Sequence, residues 1–190
     1  MIRLHLASRS PRRRQLLQEA GIPFQLLDVD VEETVVGDPA PRAIAAALAE
    51  KKARAGAALV AKGVVLGSDT VVALDGRALG KPADRGHACE MLRDLAGSIH
   101  SVITGVSLVD AATGRALTET DETRVVMRGM TEAEITAYVA SGESDDKAGG
   151  YAIQETGDRF VERIEGSYTN VVGLPMELLE RMLCAWGESA

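Results

Sequence analysis

The chain has 190 residues, 46% of them hydrophobic, and a formal net charge of −7. This length suits a single domain over residues 1–190, and the acidic balance argues against a nucleic-acid-binding protein with a broad basic face. The apolar run at the N-terminus is too short for a signal peptide and no run is long enough to cross a membrane, so we expect a soluble, cytoplasmic protein without a membrane partner. Cys89 and Cys184 lie far apart without metal-ligand spacing, which predicts two reduced cysteines on helices.

Strand and helix patterns alternate from the start of the chain, which predicts an α/β sheet with helices packed on it. Two local motifs are specific. Asp75 with Gly76 suits the turn of a β-hairpin, and Thr131 with Glu134 forms a capping box at a helix start. Strands are predicted at 2–7, 24–29, 64–74, 99–109, 115–127 and 159–164, of which 99–109 and 115–127 form a long antiparallel hairpin. Helices are predicted at 11–20, roughly 41–61, from Asp84 to about 95, from Thr131 to about 140, and from Pro175 onwards.

An arginine-rich helix start follows the first predicted strand. Four arginines lie between residues 9 and 14, where Ser10 is a good N-cap and Pro11 suits the first helical turn. Positive side chains at a helix N-terminus oppose the helix dipole, each by roughly 0.3–1 kcal/mol. A bound phosphate would offset this cost. The segment therefore predicts a phosphate cradle, with a capped surface helix and solvated arginines as the alternative.

The carboxylate of Asp69 interrupts the apolar run 64–74. Burying a carboxylate without a partner costs several kcal/mol or forces its protonation. The pattern therefore predicts a metal ion, a lysine or a functional water beside Asp69, with a β-bulge that offers backbone N–H groups as the alternative. Glu33 and Asp30 follow the second predicted strand and are either ligand-loop carboxylates or solvated charges.

Cationic side chains accompany these carboxylates. Arg12 and Arg13 lie at the first helix start, Lys52 on the long Ala-rich helix, and Lys81 in a Gly-Lys-Pro turn. A triphosphate carries about four negative charges, and phosphoryl chemistry needs positioned cations and a metal more than a covalent nucleophile. The set predicts a polyanion site. The sequence shows no P-loop and no Ser/His/Asp or Cys/His nucleophile set.

Gln154 ends a glycine-containing run, 147–154, and carries a side-chain amide. An amide donates and accepts hydrogen bonds at once, which suits the edge of a nucleobase, although an ordinary strand residue is the alternative. Residues 168–175 form either a loop packed under the site or a simple connection to the last helix. The three histidines are isolated and are interpreted as structural or surface residues: His5, His87 and His100.

Seven segments, taken in their order and spacing, resemble the Maf family of nucleotide pyrophosphatases. They are 6–13, the loop around Glu33, 48–53, 67–70, 79–82, 101–105 and 146–154. The resemblance runs nearly end to end and implies an α/β fold like that of the inosine triphosphate pyrophosphatases (Maf/Ham1), with an elongated mixed β-sheet flanked by helices and two lobes around a cleft. It also implies hydrolysis of a nucleoside triphosphate to the monophosphate and pyrophosphate, with a divalent cation, Mg²⁺ or Mn²⁺, and a homodimeric assembly.

Two motifs are similar to one branch of that family. Ser-Pro-Arg-Arg at 10–13 and Tyr-Ala-Ile-Gln at 151–154 are typical of the branch acting on dTTP and UTP, rather than the branch acting on 7-methyl-GTP. By this resemblance, Arg12, Thr70 and Gln154 are the residues that determine specificity.

The resemblance also implies roles for the charged residues. Asp69 takes a proton from the water that attacks the α-phosphorus, pyrophosphate then leaves, and Glu33 helps Asp69 to hold the metal. The side chains expected to contact the phosphates, or to lie near them, are Ser8, Arg13, Lys52 and Lys81.

A second hypothesis follows from the family name, which derives from inhibition of septum formation in bacterial division. In that case the protein is a non-catalytic regulatory partner. An Asp69→Asn protein that still blocked septation when overproduced would favour binding over turnover. Nucleic-acid binding ranks last because the chain is acidic.

Overall fold

A computed structural model describes residues 3–34, 37, 39–154 and 156–188 of the chain. In chain order the strands are β1 (Leu4–Ala7), β2 (Phe24–Leu27), β3 (Val64–Leu74), β4 (Arg77–Leu79), β5 (Ile99–Asp110), β6 (Ala116–Met127) and β7 (Val161–Glu165). The helices are α1 (Pro11–Glu19), α2 (Pro41–Ala57), α3 (Arg85–Leu95), α4 (Glu132–Ala140), α5 (Tyr168–Val172) and α6 (Met176–Glu188). Short 3₁₀ turns lie at Ala148–Gly150 and Thr156–Phe160.

The strands of the described segments form one mixed sheet in the order β2-β1-β3-β5-β6-β7, with β4 added to β3. Strand β1 runs parallel to β2 and β3, whereas the remaining pairs are antiparallel. The predicted β5–β6 hairpin is confirmed, since the two strands pair along almost their whole length. The turn at Asp75 and Gly76, both at positive φ, joins β3 to β4 as expected. The predicted mixed α/β fold is therefore confirmed.

Helix α2 lies very close to the sheet because small residues meet where it crosses the strands. A Cβ on Gly67 of β3 would lie 2.2 Å from the carbonyl oxygen of Ala49, and one on Gly105 of β5 would lie 2.2 Å from that of Ala45. Neither strand position can carry a side chain without moving the helix. The alanines of α2 thus serve close packing as well as helix propensity.

Two large apolar clusters make up most of the core. One packs α1 and α6 against the sheet around Leu6, Leu66 and Leu179, and the other packs α3 and α4 around Leu92 and Tyr138. The free cysteines lie on helices, Cys89 on α3 and Cys184 on α6, as predicted. No helix in the described part of the chain combines the length and apolarity needed to cross a membrane.

Several element boundaries differ from the sequence prediction. Helix α2 ends at Ala57 rather than near residue 61, because the chain must turn there to bring Val64 into register beside Leu4. Strand β2 ends at Leu27 rather than at 29. Residue 2, the start of the first predicted strand, lies outside the described residues.

The C-terminal third also contains features that the sequence pattern missed. Strand β7 begins at Val161 rather than at 159, because Phe160 belongs to a 3₁₀ turn and packs edge-on against Tyr138, with ring centroids 5.4 Å apart. Helix α5 was not predicted, since five residues are too few for a periodic pattern. The Ser167 hydroxyl caps it by accepting a hydrogen bond from the Asn170 N–H.

Candidate active site

A gap in the sheet lies along one edge of β3. Strand β1 pairs with this edge only as far as Gly67, and β4 pairs with it only from Val72 onwards. Residues 68–71 therefore have no strand partner on this edge within the described segments, whereas β5 covers the other edge in unbroken register. A cleft of about 900 Å³ opens at this position.

The cleft is lined by all nine side chains to which the family resemblance assigns a role. They are Ser8, Arg12, Arg13, Glu33, Lys52, Asp69, Thr70, Lys81 and Gln154. Side chains alternate along a strand, so Asp69 and Thr70 face opposite sides of the sheet. Lys52 of α2 bonds to Asp69 on one side, and Arg13 of α1 bonds to Thr70 on the other. The gap in the sheet brings both groups to the same cleft.

Lys52 joins the two carboxylates of the site. Its ammonium donates to Asp69 Oδ1 at 2.5 Å and to Glu33 Oε1 at 2.7 Å. The Asp69 and Lys52 side chains are only 11% and 12% exposed, so the pair is largely desolvated. Of the partners that the sequence allowed for Asp69, the structure has the lysine. The β-bulge alternative is wrong, because Asp69 pairs with Gly105 in regular register.

Glu33 is bonded to a second lysine, since Lys81 Nζ donates to its Oε2 at 3.2 Å. Partial burial works to raise the pKa of Glu33, but the hydrogen bonds and charges of Lys52 and Lys81 outweigh it and lower the pKa below its ordinary value of 4.5. Glu33 is therefore a carboxylate at neutral pH. Asp30 also lines the cleft, but it is more exposed than Glu33 and pairs with the exposed guanidinium of Arg9 at 3.4 Å.

Arg13 is held by three hydrogen bonds at the start of α1. Its Nε donates to the Gly173 carbonyl at 2.7 Å, Nη2 donates to Thr70 Oγ1 at 3.1 Å, and Nη1 donates to Ser8 Oγ at 3.3 Å. Burial lowers the pKa of Arg13, and the negative charge of Asp69 works in the opposite direction. The guanidinium has five N–H groups, so this fixed cation keeps donors for a ligand.

Arg12 has one buried hydrogen-bond donor that no described residue satisfies. Its Nε has no hydrogen-bond partner among the described residues, although it is shielded from solvent. An unsatisfied buried donor costs about 1–3 kcal/mol, and more when the group is charged. An oxygen atom of a bound anion would satisfy it. The predicted cradle at the start of α1 is thus a cationic wall of the cleft, with Ser10 as the helix N-cap.

A buried polar network under the cleft was not found from the sequence. Thr70 Oγ1 lies 3.0 Å from Thr104 Oγ1, and Thr104 donates to the carbonyl of Asn170 at 3.1 Å. The Asn170 amide donates to Thr123 Oγ1 at 2.9 Å. Of the two alternatives for residues 168–175, the structure has the one packed under the site, since Gly173 also accepts the bond from Arg13. The polar Thr-Asn pair inside this apolar segment was the available signal.

The segment that carries Gln154 forms another part of the cleft lining. Gln154 is exposed in a turn rather than a strand, which removes the strand alternative. The Gly149 N–H donates to the Gly80 carbonyl at 3.0 Å and so ties this segment to the Lys81 turn. Lys147, only 11% exposed, pairs with the neighbouring Asp146, and both line the cleft.

The histidines are confirmed as structural or surface residues. His5 and His100 are buried in the sheet, whereas His87 is exposed at the start of α3. His87 Nδ1 accepts a hydrogen bond from the Ala83 N–H at 3.2 Å. None of the three lines the cleft as far as the chain is described.

The candidate ligands for a metal ion in the cleft are the carboxylate oxygens of Asp69 and Glu33. No group of three or more His, Cys, Asp or Glu side chains in the described residues is arranged to hold a metal ion. Asp69 and Glu33 nevertheless converge on one cationic group, the ammonium of Lys52. Mg²⁺ is commonly bound by one or two carboxylates together with waters and substrate phosphates. The residues present therefore fit a metal that binds together with a phosphate ligand.

The fold is similar to that of a solved HAM1 protein from Coxiella burnetii. The match covers 97% of this chain and 100% of that chain, with a TM-score of 0.54. The two sequences are 16% identical, so the likeness concerns the fold alone.

Curated relatives are much closer in sequence. A dTTP/UTP pyrophosphatase of Pelotomaculum thermopropionicum is 47% identical, over 96% of this chain and 95% of the relative. A dTTP/UTP pyrophosphatase of Salinibacter ruber is 51% identical, over 96% and 90%. The family described as Maf-like protein matches residues 3–186. With this match and these relatives, the chain belongs to the Maf family.

Proposed function

We propose that the protein is a nucleoside triphosphate pyrophosphatase that hydrolyses dTTP and UTP to the monophosphate and pyrophosphate. The observation that carries this proposal is the Lys52 bridge between Asp69 and Glu33, set among further cations in the gap of the sheet. A covalent nucleophile is unnecessary there, because phosphoryl transfer depends chiefly on positioning and charge stabilisation. Relatives named dTTP/UTP pyrophosphatase, 47% and 51% identical over 96% of the chain, support the same reaction and substrates.

In the proposed reaction Asp69 is the general base. It accepts a proton from a water whose oxygen attacks the α-phosphorus. The bond between that phosphorus and the oxygen bridging to the β-phosphorus breaks, and its electron pair leaves with pyrophosphate. Lys52 orients the Asp69 carboxylate through the 2.5 Å contact. Arg13 and Lys81, which both line the cleft, hold the triphosphate, with Ser8 bonded to Arg13.

We propose that Asp69 and Glu33 hold the Mg²⁺ or Mn²⁺ of the reaction. When bound, such an ion supplies charge neutralisation and Lewis-acid polarisation of the phosphate oxygens. Addition of a chelator to the metal-supplemented enzyme should therefore stop turnover, and full activity in excess chelator would reject this assignment.

The specificity residues lie on two walls of the cleft. Gln154 offers an amide donor and an amide acceptor, which a pyrimidine ring with adjacent carbonyl and N–H groups matches. Arg12 contributes a buried donor that a ligand oxygen would satisfy. Thr70 acts differently from these two, because its hydroxyl contacts Arg13 and Thr104 and so fixes the arginine.

The position of bond cleavage tests the reaction. Hydrolysis of dTTP in H₂¹⁸O should give dTMP and pyrophosphate, with the label in dTMP. Formation of dTDP and phosphate, or label in the pyrophosphate alone, would contradict attack at the α-phosphorus.

We further propose a homodimer located in the cytoplasm, as the family resemblance implies. Sedimentation equilibrium should give twice the mass of the chain, which is 20.1 kDa, and a monomer at micromolar concentration would reject the dimer. Cell fractionation should recover the protein with cytoplasmic markers, and recovery with the membrane fraction would reject that location.

A further inference from the structure

The wall of the cleft that carries Gln154 is anchored from behind by two buried aromatic contacts. His100 Nε2 lies 2.7 Å from the hydroxyl of Tyr151, and the two rings meet edge-on with centroids 5.4 Å apart. The hydroxyl of Tyr138 accepts a hydrogen bond from the Ala152 N–H at 3.2 Å. These contacts reach the two residues that lie three and two positions before Gln154.

The anchors come from different parts of the fold. His100 lies on β5, two residues before Val102, which lines the cleft, and Tyr138 lies on α4. Their exposed fractions are 2% and 1%, and neither residue is among those that line the cleft. Tyr151, which does line it, is 6% exposed. The side chains of His100 and Tyr138 therefore act on a ligand indirectly, and their hydrogen bonds connect them to the segment 151–154.

Apart from the burial of Ile153 in the core and the hydrogen bond from Gly149 to Gly80, these contacts fix the direction of the segment. It follows Gly149 and Gly150, both at positive φ, and it contains no strand pairing. Glycine populates a wide range of backbone conformations, so the preceding turn does not by itself determine where Gln154 points. The fit behind the segment is tight, because a Cβ on Gly157 would lie 2.3 Å from the Ala152 carbonyl oxygen and 3.0 Å from the Tyr138 hydroxyl.

The His100–Tyr151 pair is a contact between neutral groups at physiological pH. Burial lowers the pKa of His100 to about 4 and raises the pKa of Tyr151 above its usual range. The hydrogen bond therefore persists at neutral pH without a change of charge.

We propose that His100 and Tyr138 are positioning residues for base selection, which act through Tyr151 and Ala152 to fix the orientation of the Gln154 amide. This inference rests on the proposed function, in which Gln154 contacts the base. Neither residue touches the reacting atoms. Their loss should therefore affect the choice between nucleotides, and the KM of dTTP and UTP, more than it affects the binding of pyrophosphate.

The test compares Tyr151→Phe, His100→Leu and Tyr138→Phe with wild type. The readouts are kcat and KM for UTP and CTP, the inhibition constant of pyrophosphate, and the thermal unfolding midpoint. The net effect of one hydrogen bond corresponds to roughly a fivefold change, so the UTP:CTP ratio of kcat/KM should fall about fivefold in each variant. The change should lie in KM. The inhibition constant of pyrophosphate should stay within about twofold of wild type, because distant sites affect each other by only a few tenths of a kcal/mol.

Two further variants separate positioning from general support. Because Tyr151→Phe and His100→Leu break the same bond, the double variant should lose no more selectivity than either single variant. His100→Gln keeps a hydrogen-bonding group and should restore much of the ratio. The matched control is Ser107→Ala, which removes another side-chain hydrogen bond of β5, between the buried Ser107 hydroxyl and Thr118 at 2.8 Å, and should leave the ratio unchanged.

The Gln154→Ala variant distinguishes failure of this inference from failure of the proposed function. If Gln154→Ala lowers the ratio while Tyr151→Phe and His100→Leu leave it unchanged, the positioning role is wrong. An equal loss in Ser107→Ala would also overturn it, because the effect would then be general to β5. If Gln154→Ala itself leaves the ratio unchanged, base reading by Gln154 is wrong and the inference falls with it.

Discussion

The ammonium of Lys52 lies 2.5 Å from Asp69 Oδ1 and so joins helix α2 to strand β3, against which the helix packs. The contact exists because α2 approaches β3 over Gly67, two residues before Asp69 in the strand. The same lysine holds Glu33 at 2.7 Å. A side chain at one glycine position would therefore disturb both carboxylates of the site.

Gly67→Ala tests this coupling of packing to chemistry. The new Cβ would lie 2.2 Å from the Ala49 carbonyl oxygen and 2.5 Å from the Ala53 nitrogen, so α2 must shift and carry Lys52 with it. We expect a loss of about 1–3 kcal/mol or more in the free energy of unfolding, as in overpacked cores, together with a fall in kcat. Urea unfolding and initial rates measure the two effects. Gly129→Ala is the control, since its Cβ would meet nothing within 4 Å; a Gly67→Ala enzyme as stable and active as this control would refute the coupling.

Asp69→Asn removes the proposed general base and keeps the shape of the side chain. We expect kcat to fall about 10²- to 10⁴-fold, as is typical when a general base is lost. Steady-state rates at saturating dTTP measure the change, and circular dichroism checks the fold. Asp75→Asn, at the exposed turn after the same strand, should keep wild-type rates. Full kcat in Asp69→Asn would remove Asp69 from this role.

Arg13→Lys keeps the positive charge but cannot reproduce three directed hydrogen bonds. Arg13 bonds to Gly173, Thr70 and Ser8 through three different nitrogens, whereas an ammonium is a single point donor. Each hydrogen bond to a charged group contributes about 1.5–3 kcal/mol, so kcat/KM for dTTP should fall at least about tenfold. Arg14→Lys on the same helix turn, outside the cleft, is the matched control. Equal kcat/KM for the two variants would show that charge alone suffices.

His100 should make the stability of the protein depend on pH. Its pKa is lowered by burial to about 4, from 6.5 in an exposed histidine. Between these values the unfolded chain binds a proton that the folded chain does not, so the free energy of unfolding falls as the pH falls from 6.5 to 4. The loss attributable to His100 is about 3 kcal/mol. Urea unfolding at several pH values should show this loss in wild type and not in His100→Gln; equal pH dependence of the two proteins would be evidence against it.

Features set by neighbours in the sequence were predictable. Ser10, Asp84 and Thr131 cap their helices by accepting a hydrogen bond from the N–H three residues later, and each was identified from residue type and spacing. The β5–β6 hairpin likewise follows from two long β-like runs joined by one turn. Such contacts span few residues, so the sequence pattern carries them directly.

Features set by tertiary packing were not predictable from the sequence. The bond from Arg13 to Gly173 joins residues 160 positions apart, and nothing local indicates which carbonyl the arginine will reach. Asn170 belongs to a helix too short to give a periodic signal, yet its amide bonds beneath the cleft. The sequence identified which residues would line the site, whereas the connections between them depend on the crossing of α2 over the strands and on the gap in the sheet.

The most direct test of the proposed function is pyrophosphate release from a panel of dTTP, UTP, CTP, ITP and 7-methyl-GTP, with Mg²⁺ or Mn²⁺ and with chelator. Metal-dependent turnover of dTTP and UTP above the other nucleotides is the expected result. Activity on 7-methyl-GTP alone would contradict the proposed substrates and the role of Gln154, and the absence of turnover on every nucleotide would contradict the enzymatic function itself.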